Sequence, residues 1–124
     1  YERIAGHFPV VTVPGISSLM AAAAVSKGPL AARNDVLSVV PAPLTVDSLR
    51  RAIDQADCAA VIKLGRHFGK VRTLLAEMGL VGQARYVAHA TMANQSTIPL
   101  AEVDGDTVPY FSMILVHKRG AAWR

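Results

Sequence analysis

Up to residue 79 the sequence alternates short apolar runs with longer segments of helical character. The runs "VVTV" at residues 10–13, "VLSVVPA" at 36–42 and "CAAVIKL" at 58–64 have the length and the β-branched content of strands. The third run is apolar at almost every position, which is typical of a strand that helices cover on both faces of a sheet. This order of elements predicts an α/β fold.

Three helices are predicted beside these strands. Ser17 or Ser18 can accept the hydrogen bond that caps the first helix, and Thr45 can do the same for the second. The third helix is expected to begin near Phe68 and to stop at Gly79, because glycine readily adopts the left-handed conformation that ends helices. Helices therefore flank the predicted sheet.

The pattern changes after residue 79. Three further strand-like runs follow one another with only turn residues between them, namely "ARYVAHATM", "STIPLAEV" and "YFSMILVH". Short links of this kind favour antiparallel neighbours, so a β-meander is expected. The prediction for residues 1–124 is one α/β domain with a mixed sheet of about five strands flanked by helices.

The chain is more apolar than an ordinary domain, with 52% hydrophobic and 18% charged residues. This composition suggests that apolar surface faces a partner or a ligand. No window reaches the roughly 18 apolar residues of a membrane span, and the start "YERIAGHFPV" lacks the layout of a signal peptide. We expect a soluble cytoplasmic protein that does not bind a membrane.

A net charge of +4 favours an anionic partner in general. The basic residues are scattered, however, and no nucleic-acid-binding motif accompanies them, so nucleic acid is not the expected partner. The densest basic run, "HKRGAAWR" at the C-terminus, is interpreted as a solvated end.

The sequence contains few signs of a catalytic or metal-binding group. Its one cysteine, Cys58, cannot form an internal disulfide and is expected to be buried in a strand and inert. The four histidines have no metal-ligand spacing, so no metal site is expected. Neither a dinucleotide fingerprint nor a phosphate-binding loop is present, and no nucleophile can be assigned.

Two stretches carry polar groups where a ligand could bind. After Pro-Gly, Ser17 and Ser18 stand at a helix N-terminus, which attracts a carboxylate or a phosphate but equally suits a plain N-cap. In "IKLGRHFGK", Lys63, Arg66 and His67 follow a buried strand, and open α/β sheets bind ligands outside the carboxyl ends of their strands. Ordinary solvated charges are the alternative interpretation there.

A third candidate is the aromatic pair in "PYFSMILVH". Tyr110 and Phe111 could flank a flat ligand or could belong to the hydrophobic core. The sequence favours the core, because aromatic residues beside an apolar strand are usually buried.

Five of these stretches, in this order and at this spacing, resemble the C-terminal half of the tetrapyrrole methylases, the class III S-adenosylmethionine-dependent methyltransferases. They are "VPGISS", "VIKLGRHFGKVRTLLAEMGL", "YVAHATM", "IPLAE" and "PYFSMILV". Within the family, the lysine before Leu-Gly-Arg and the "PYFS" ending are most similar to members that methylate carbon 20 of precorrin-2 in cobalamin biosynthesis. The resemblance spans nearly the whole chain.

The resemblance implies an enzyme of two α/β domains that holds the methyl donor and the tetrapyrrole in the cleft between them. The chain corresponds to the C-terminal domain, without the N-terminal domain and its Gly-x-Gly-Pro-Gly-Asp loop, and is expected to be inactive alone. By resemblance, the residues near S-adenosylmethionine are Ser17, Ser18, Leu64, Tyr86, Val87, Ser112 and Met113. Candidate partners for the substrate carboxylates are Arg33, Lys63, Arg66 and His67.

Two interpretations from different classes remain at this point. In the first, the chain is the C-terminal domain of a methyltransferase, whose family members are typically homodimers. In the second, it is a non-catalytic binding module with the same fold, and its apolar composition serves a dimer interface. Methylation of a different tetrapyrrole position is a third possibility within the family.

Overall fold

The structure is a computed structural model that describes residues 2–120. Five strands form a single mixed sheet: β1 (Leu37–Pro41), β2 (Cys58–Ile62), β3 (Ala84–Ala88), β4 (Ser96–Pro99) and β5 (Ser112–His117). The α-helices are α1 (Glu2–Ala5), α2 (Ser18–Ser26), α3 (Val46–Asp54) and α4 (Phe68–Glu77). Short 3-10 turns occupy Gly65–His67, Val81–Gln83 and Leu100–Glu102. The predicted α/β class, the mixed sheet and its flanking helices are confirmed.

The strands lie in the order β1-β2-β5-β3-β4. Only the pair β1 and β2 is parallel, and α3 connects these two strands. The strand β5 is antiparallel to both of its neighbours, β2 and β3, and β3 is antiparallel to β4. The predicted meander is therefore wrong in one respect, because the last strand inserts between β2 and β3. This central position buries all six residues of β5 and satisfies hydrogen bonds on both of its edges.

The two faces of the sheet are covered unequally. Helices α3 and α4 pack on one face and bury the larger core, in which Leu49, Ile53, Phe68 and Leu75 are fully enclosed. Helix α2 packs on the other face, where its residue Ala22 belongs to a smaller buried cluster. As predicted, Thr45 caps α3, and α4 extends from Phe68 to Glu77, two residues before Gly79. Among the described residues, no helix is long and apolar enough to span a membrane.

The segment before α2 departs from the prediction. Residues 10–13 were expected to form a strand, but they have no regular structure, and Val11 and Val13 are more than four-fifths exposed. Strand propensity is realised only where a neighbouring strand supplies hydrogen bonds and a packed face. Within the described part of the chain, no strand pairs with this segment.

The basic C-terminal run is also less solvated than predicted. His117 is the last residue of β5 and is only 3% exposed, and the Lys118 ammonium donates a hydrogen bond to the carbonyl oxygen of Asp54. The Arg119 guanidinium contacts the carboxylate of Asp35 at 2.9 Å. The remaining residues, 121–124, lie outside the described part of the chain.

Candidate functional site

A cavity of about 510 Å³ opens at the end of the sheet where β2 and β3 finish and β5 begins. The start of α2 forms one wall, and the segments after β2 and β3 form others. Most of the lining is apolar, with few polar groups, as is usual for small-molecule sites. The lining residues are Ile16, Ser18, Ala21, Ile62, Lys63, Val87, His89, Ala90, Thr91, Met92, Tyr110, Phe111, Ser112 and Met113.

The backbone is unusual at three points of the cavity wall. Lys63, His89 and Thr91 have φ angles of 59°, 50° and 67°, in the left-handed region that side chains other than glycine rarely adopt. Each follows closely on the end of a strand, so the chain turns away from the sheet there. Strained residues of this kind persist only where their surroundings hold them, and they cluster at ligand sites.

Backbone hydrogen bonds hold the segment after β3. The N–H of His89 donates to the carbonyl oxygen of Phe111 at 2.7 Å, and the carbonyl of His89 accepts from the N–H of Met92 at 2.9 Å. The side-chain oxygen of Gln95 accepts from the N–H of Thr91 at 2.8 Å. These bonds fix the wall of the cavity opposite α2.

Aromatic rings line the mouth of the cavity. Tyr110 and Phe111 meet edge to face with their centroids 5.4 Å apart, and the imidazole of His89 lies 6.4 Å from the Phe111 ring. The two aromatic side chains are 71% and 60% exposed, so the expectation that they belong to the core is wrong. Both residues belong to the cavity lining.

The turn before β5 orients these rings. The Ser112 hydroxyl donates to the carbonyl oxygen of Pro109 at 2.5 Å, and the Ser112 N–H donates to that of Tyr110 at 2.9 Å. Further back, the carbonyl of Asp106 accepts from the N–H of Gly69 at 3.1 Å. The loop that carries the aromatic pair is thereby attached to the start of α4.

Of the residues that the family resemblance assigns to the methyl donor or the substrate, five line the cavity. Two come from strand β5, one each from β3 and from the start of α2, and one follows β2 directly. They are Ser18, Lys63, Val87, Ser112 and Met113. The structure thus brings together parts of four stretches that lie far apart in the sequence.

The other residues predicted to lie near S-adenosylmethionine are not part of the cavity lining. Ser17 is the N-cap of α2, and its hydroxyl oxygen accepts from the N–H of Met20 at 3.4 Å. Leu64 is fully buried in the larger core, although its neighbour Lys63 is exposed. The Tyr86 ring packs edge to face on Phe68, on the opposite face of the sheet from Val87, and burial raises the pKa of its phenol.

Three of the predicted substrate residues are not part of the cavity lining. Arg33 precedes β1 with a φ of 54°, and Arg66 and His67 belong to the 3-10 turn that leads into α4. Arg33 and Arg66 are exposed, and His67 is half-buried. A ligand confined to the cavity would therefore meet only Lys63 among the four.

Several lining residues were missed from the sequence. His89, Thr91 and Met92 line the cavity just after β3, whereas the sequence pattern predicts that they form the end of that strand. Their signal is the strand end itself, since residues beyond the carboxyl ends of neighbouring strands gather at one edge of the sheet. A histidine is also among the residues that tolerate a left-handed conformation.

The chain belongs to the family of Tetrapyrrole (Corrin/Porphyrin) Methylases, whose sequence pattern matches residues 1–104. It is 44% identical over 116 residues to the "Cobalamin biosynthesis protein CobIJ" of Mycobacterium bovis. It is 39% identical over 116 residues to the "Precorrin-2 C(20)-methyltransferase" of a Sinorhizobium species. Each alignment covers 94% of this chain, but only 23% and 47% of the respective relative. The chain thus spans less than half the length of these relatives and aligns with their C-terminal part.

Solved structures show the same fold. The uroporphyrin-III C-methyltransferase of Thermus thermophilus, solved with S-adenosylhomocysteine, superposes with a TM-score of 0.63 at 20% identity. The match covers 94% of this chain and 56% of that protein. The predicted fold of the C-terminal part of a tetrapyrrole methylase is confirmed.

Proposed function

We propose that the chain is the C-terminal part of an S-adenosylmethionine-dependent methyltransferase that methylates carbon 20 of precorrin-2 in cobalamin biosynthesis. The observation that carries this proposal is the cavity at the ends of β2 and β3, in a chain whose relative is named for that reaction. Its volume falls within the range of about 300–1,000 Å³ that is typical of small-molecule sites.

The lining supplies what a nucleoside-containing sulfonium donor requires. Ser18 offers a hydroxyl at the start of α2, where unpaired N–H groups also favour the donor's carboxylate. Val87 and Met113 offer apolar surface from adjacent strands, and Phe111 offers an aromatic edge. We place the donor against these residues.

Methyl transfer to carbon needs little chemistry from side chains. The nucleophilic carbon forms a bond to the methyl carbon as the bond from methyl to sulfur breaks, and the sulfonium leaves as a neutral thioether. The methylated carbon then loses a proton. The protein's main contributions are alignment of the two reactants and exclusion of water, and an apolar cavity with a fixed wall suits both.

The substrate is a macrocycle edged with carboxylates, for which cationic side chains are the natural partners. Lys63 is the predicted substrate residue that stands at the cavity. Contact with Arg33, Arg66 or His67 requires a substrate that extends past the cavity mouth, as a tetrapyrrole of this size would. These three residues form the outer part of the proposed substrate site.

The proposed enzyme includes an N-terminal domain that closes the cavity from the other side. Exposed apolar residues surround the start of α2, including Val11, Val13, Ile16 and Met20. Large apolar side chains that remain exposed near one helix end favour an interface, so this face suits a second domain or a second copy of the chain. We propose a homodimer in the cytoplasm, with activity that depends on both domains.

Calorimetric titration of S-adenosylhomocysteine tests the proposal. The ligand is titrated into this chain and into the same chain preceded by the N-terminal domain of the proposed enzyme. Binding to the longer form, with weak or no binding to this chain alone, is the expected result, because one wall of the pocket is supplied by each domain. Absence of binding in both forms would overturn the proposal in favour of a non-catalytic module.

A product assay separates the substrates. Precorrin-2 and uroporphyrinogen III are each incubated with the longer form and methyl-labelled donor, and the methylated position is located by NMR. Label at carbon 20 of precorrin-2 is expected. Label on another position would keep the methyltransferase class but replace the proposed substrate.

A further inference from the structure

A second cluster of functional groups lies at the end of the sheet opposite the cavity. Strands β2 and β5 each contribute to both ends: Ile62 and Ser112 line the cavity, whereas Cys58 and His117 are at the other ends of these strands. Asp35, just before β1, joins Cys58 and His117 there. The cluster is therefore independent of the proposed methyl-transfer site.

The geometry of this cluster matches a tetrahedral metal site. Oδ2 of Asp35 lies 3.2 Å from Nε2 of His117 and 3.7 Å from Sγ of Cys58, and all three donor atoms are within 4.8 Å of one another. Ligand bonds of about 2.0 Å to N and O and 2.3 Å to S, at tetrahedral angles, separate N from O by about 3.3 Å and S from O by about 3.5 Å. The two distances from Oδ2 of Asp35 agree with these values to a few tenths of an ångström, and the separation of Nε2 from Sγ is at most 4.8 Å.

The imidazole of His117 provides an independent observation. Its side chain is only 4% exposed, and Nε2 contacts Oδ2 of Asp35 at 3.2 Å without the geometry of a hydrogen bond. Within the described part of the chain, Nδ1 has no hydrogen-bond partner either. A buried polar group without a hydrogen-bond partner costs about 1–3 kcal/mol, so such groups usually serve a purpose. A metal bound at Nε2 would satisfy one of these nitrogens.

The surrounding charges suit a divalent cation. The Arg119 guanidinium contacts the outer oxygen of Asp35, Oδ1, at 2.9 Å, and the N–H of Ala32 donates to Oδ2 at 3.1 Å. These contacts orient the carboxylate so that Oδ2 faces the cysteine and the histidine, as partners of metal ligands usually do. The carboxylate of Asp57 lies 4.0 Å from the same Arg119 guanidinium.

We propose that Asp35, Cys58 and His117 bind one Zn²⁺, with water as the fourth ligand. The metal links the segment before β1 to the start of β2 and to the end of β5. It would therefore stabilise the end of the sheet opposite the cavity. The spacing of the four histidines predicts no metal site, whereas these three donors come together only because β5 inserts beside β2.

Zinc binding to the protein as its gene encodes it tests this proposal. Chelator-treated, reduced protein is titrated with Zn²⁺ in competition with a chromophoric chelator. We expect one Zn²⁺ per chain with a dissociation constant below about 1 μM, and a loss of about 100-fold or more in Cys58→Ser and in His117→Gln. His7→Gln is the matched control, since His7 is exposed and outside the cluster. Its affinity should equal that of the wild type.

A measurement on the wild type covers the case in which a variant fails to fold. Alkylation of Cys58 is followed by mass spectrometry of its peptide, with and without one equivalent of Zn²⁺. A buried thiol reacts only through local opening, so bound zinc should slow the reaction at least tenfold. Failure to bind Zn²⁺, equal binding by wild type and by folded Cys58→Ser and His117→Gln, or an alkylation rate that zinc leaves unchanged would each overturn the proposal.

Discussion

The backbone N–H of His89 donates a 2.7 Å hydrogen bond to the carbonyl oxygen of Phe111, two residues that lie 22 positions apart in the sequence. The bond joins the segment that leaves β3 to the segment that enters β5, just beyond the last paired residues of these strands, Ala88 and Ser112. It therefore extends the antiparallel ladder by one step into the cavity wall. The rings of both residues end up on the same side, facing the proposed ligand.

This relationship predicts a difference between two substitutions of His89. His89→Asn should cost less than about 1 kcal/mol in the free energy of unfolding, because asparagine tolerates the left-handed conformation. His89→Val should cost about 1–3 kcal/mol, because a β-branched side chain is strained at a φ of 50°. Urea unfolding measures both values. Equal costs for the two variants would mean that the ring contact, rather than the backbone, holds this turn.

The exposed aromatic residues should matter for binding and little for stability. Tyr110→Ala and Phe111→Ala should each change the free energy of unfolding by about 0.5 kcal/mol or less. Each should weaken S-adenosylhomocysteine binding about tenfold, within the 1–3 kcal/mol that stacking of a base on an aromatic ring contributes. Phe68→Ala is the contrasting variant, because its ring is fully buried and its loss should cost about 3–5 kcal/mol. Unchanged affinity in the first two variants would exclude these rings from the donor site.

Adjacent serines should separate capping from ligand binding. Ser17→Ala removes the N-cap of α2 and should cost about 1 kcal/mol in stability while leaving donor affinity within about threefold. Ser18→Ala should have the reverse effect, with near-wild-type stability and an affinity at least threefold lower, because the Ser18 side chain lines the cavity. Chemical denaturation and calorimetry on the two variants provide the comparison. A loss of affinity in Ser17→Ala alone would move the contact to the cap.

The cationic residues should rank by their distance from the cavity. Lys63→Asn keeps a residue that accepts the observed φ of 59° but removes the ammonium, and should weaken binding of the carboxylate-rich substrate about tenfold. Arg66→Ala should have a smaller effect, because Arg66 lies outside the lining. Both variants should leave S-adenosylhomocysteine affinity within about threefold. Equal losses for donor and substrate in Lys63→Asn would argue that the lysine shapes the cavity and does not recognise the substrate.

Local patterns predicted the helices well. The face formed by Leu49 and Ile53 in α3, and by Phe68, Val71 and Leu75 in α4, follows directly from helical periodicity, and all five side chains are buried. The caps at Ser17 and Thr45 were predicted because a cap depends on contacts within one turn. These features involve neighbours in the sequence, so the sequence alone is sufficient.

Strand pairing and the site depended on distant contacts. "VVTV" and "CAAVIKL" both have strand-like composition, but only the second has partner strands within the described residues. Lys63 and Leu64 are adjacent, yet one lines the cavity and the other is in the core, because the chain turns at Lys63 with a positive φ. Composition does not reveal such a turn.

By itself, the sequence determined the α/β class, the positions of the main helices and strands, and membership of the tetrapyrrole methylase family, since each rests on local periodicity or on ordered motifs. Only the tertiary structure decided that β5 lies between β2 and β3. That placement brings together the residues at both ends of the sheet. Ser112 and Met113 line the cavity at one end, and His117 lies beside Cys58 at the other. The physical reason is that strand order results from pairing and burying all five strands together, which is a property of the whole chain and not of any one segment.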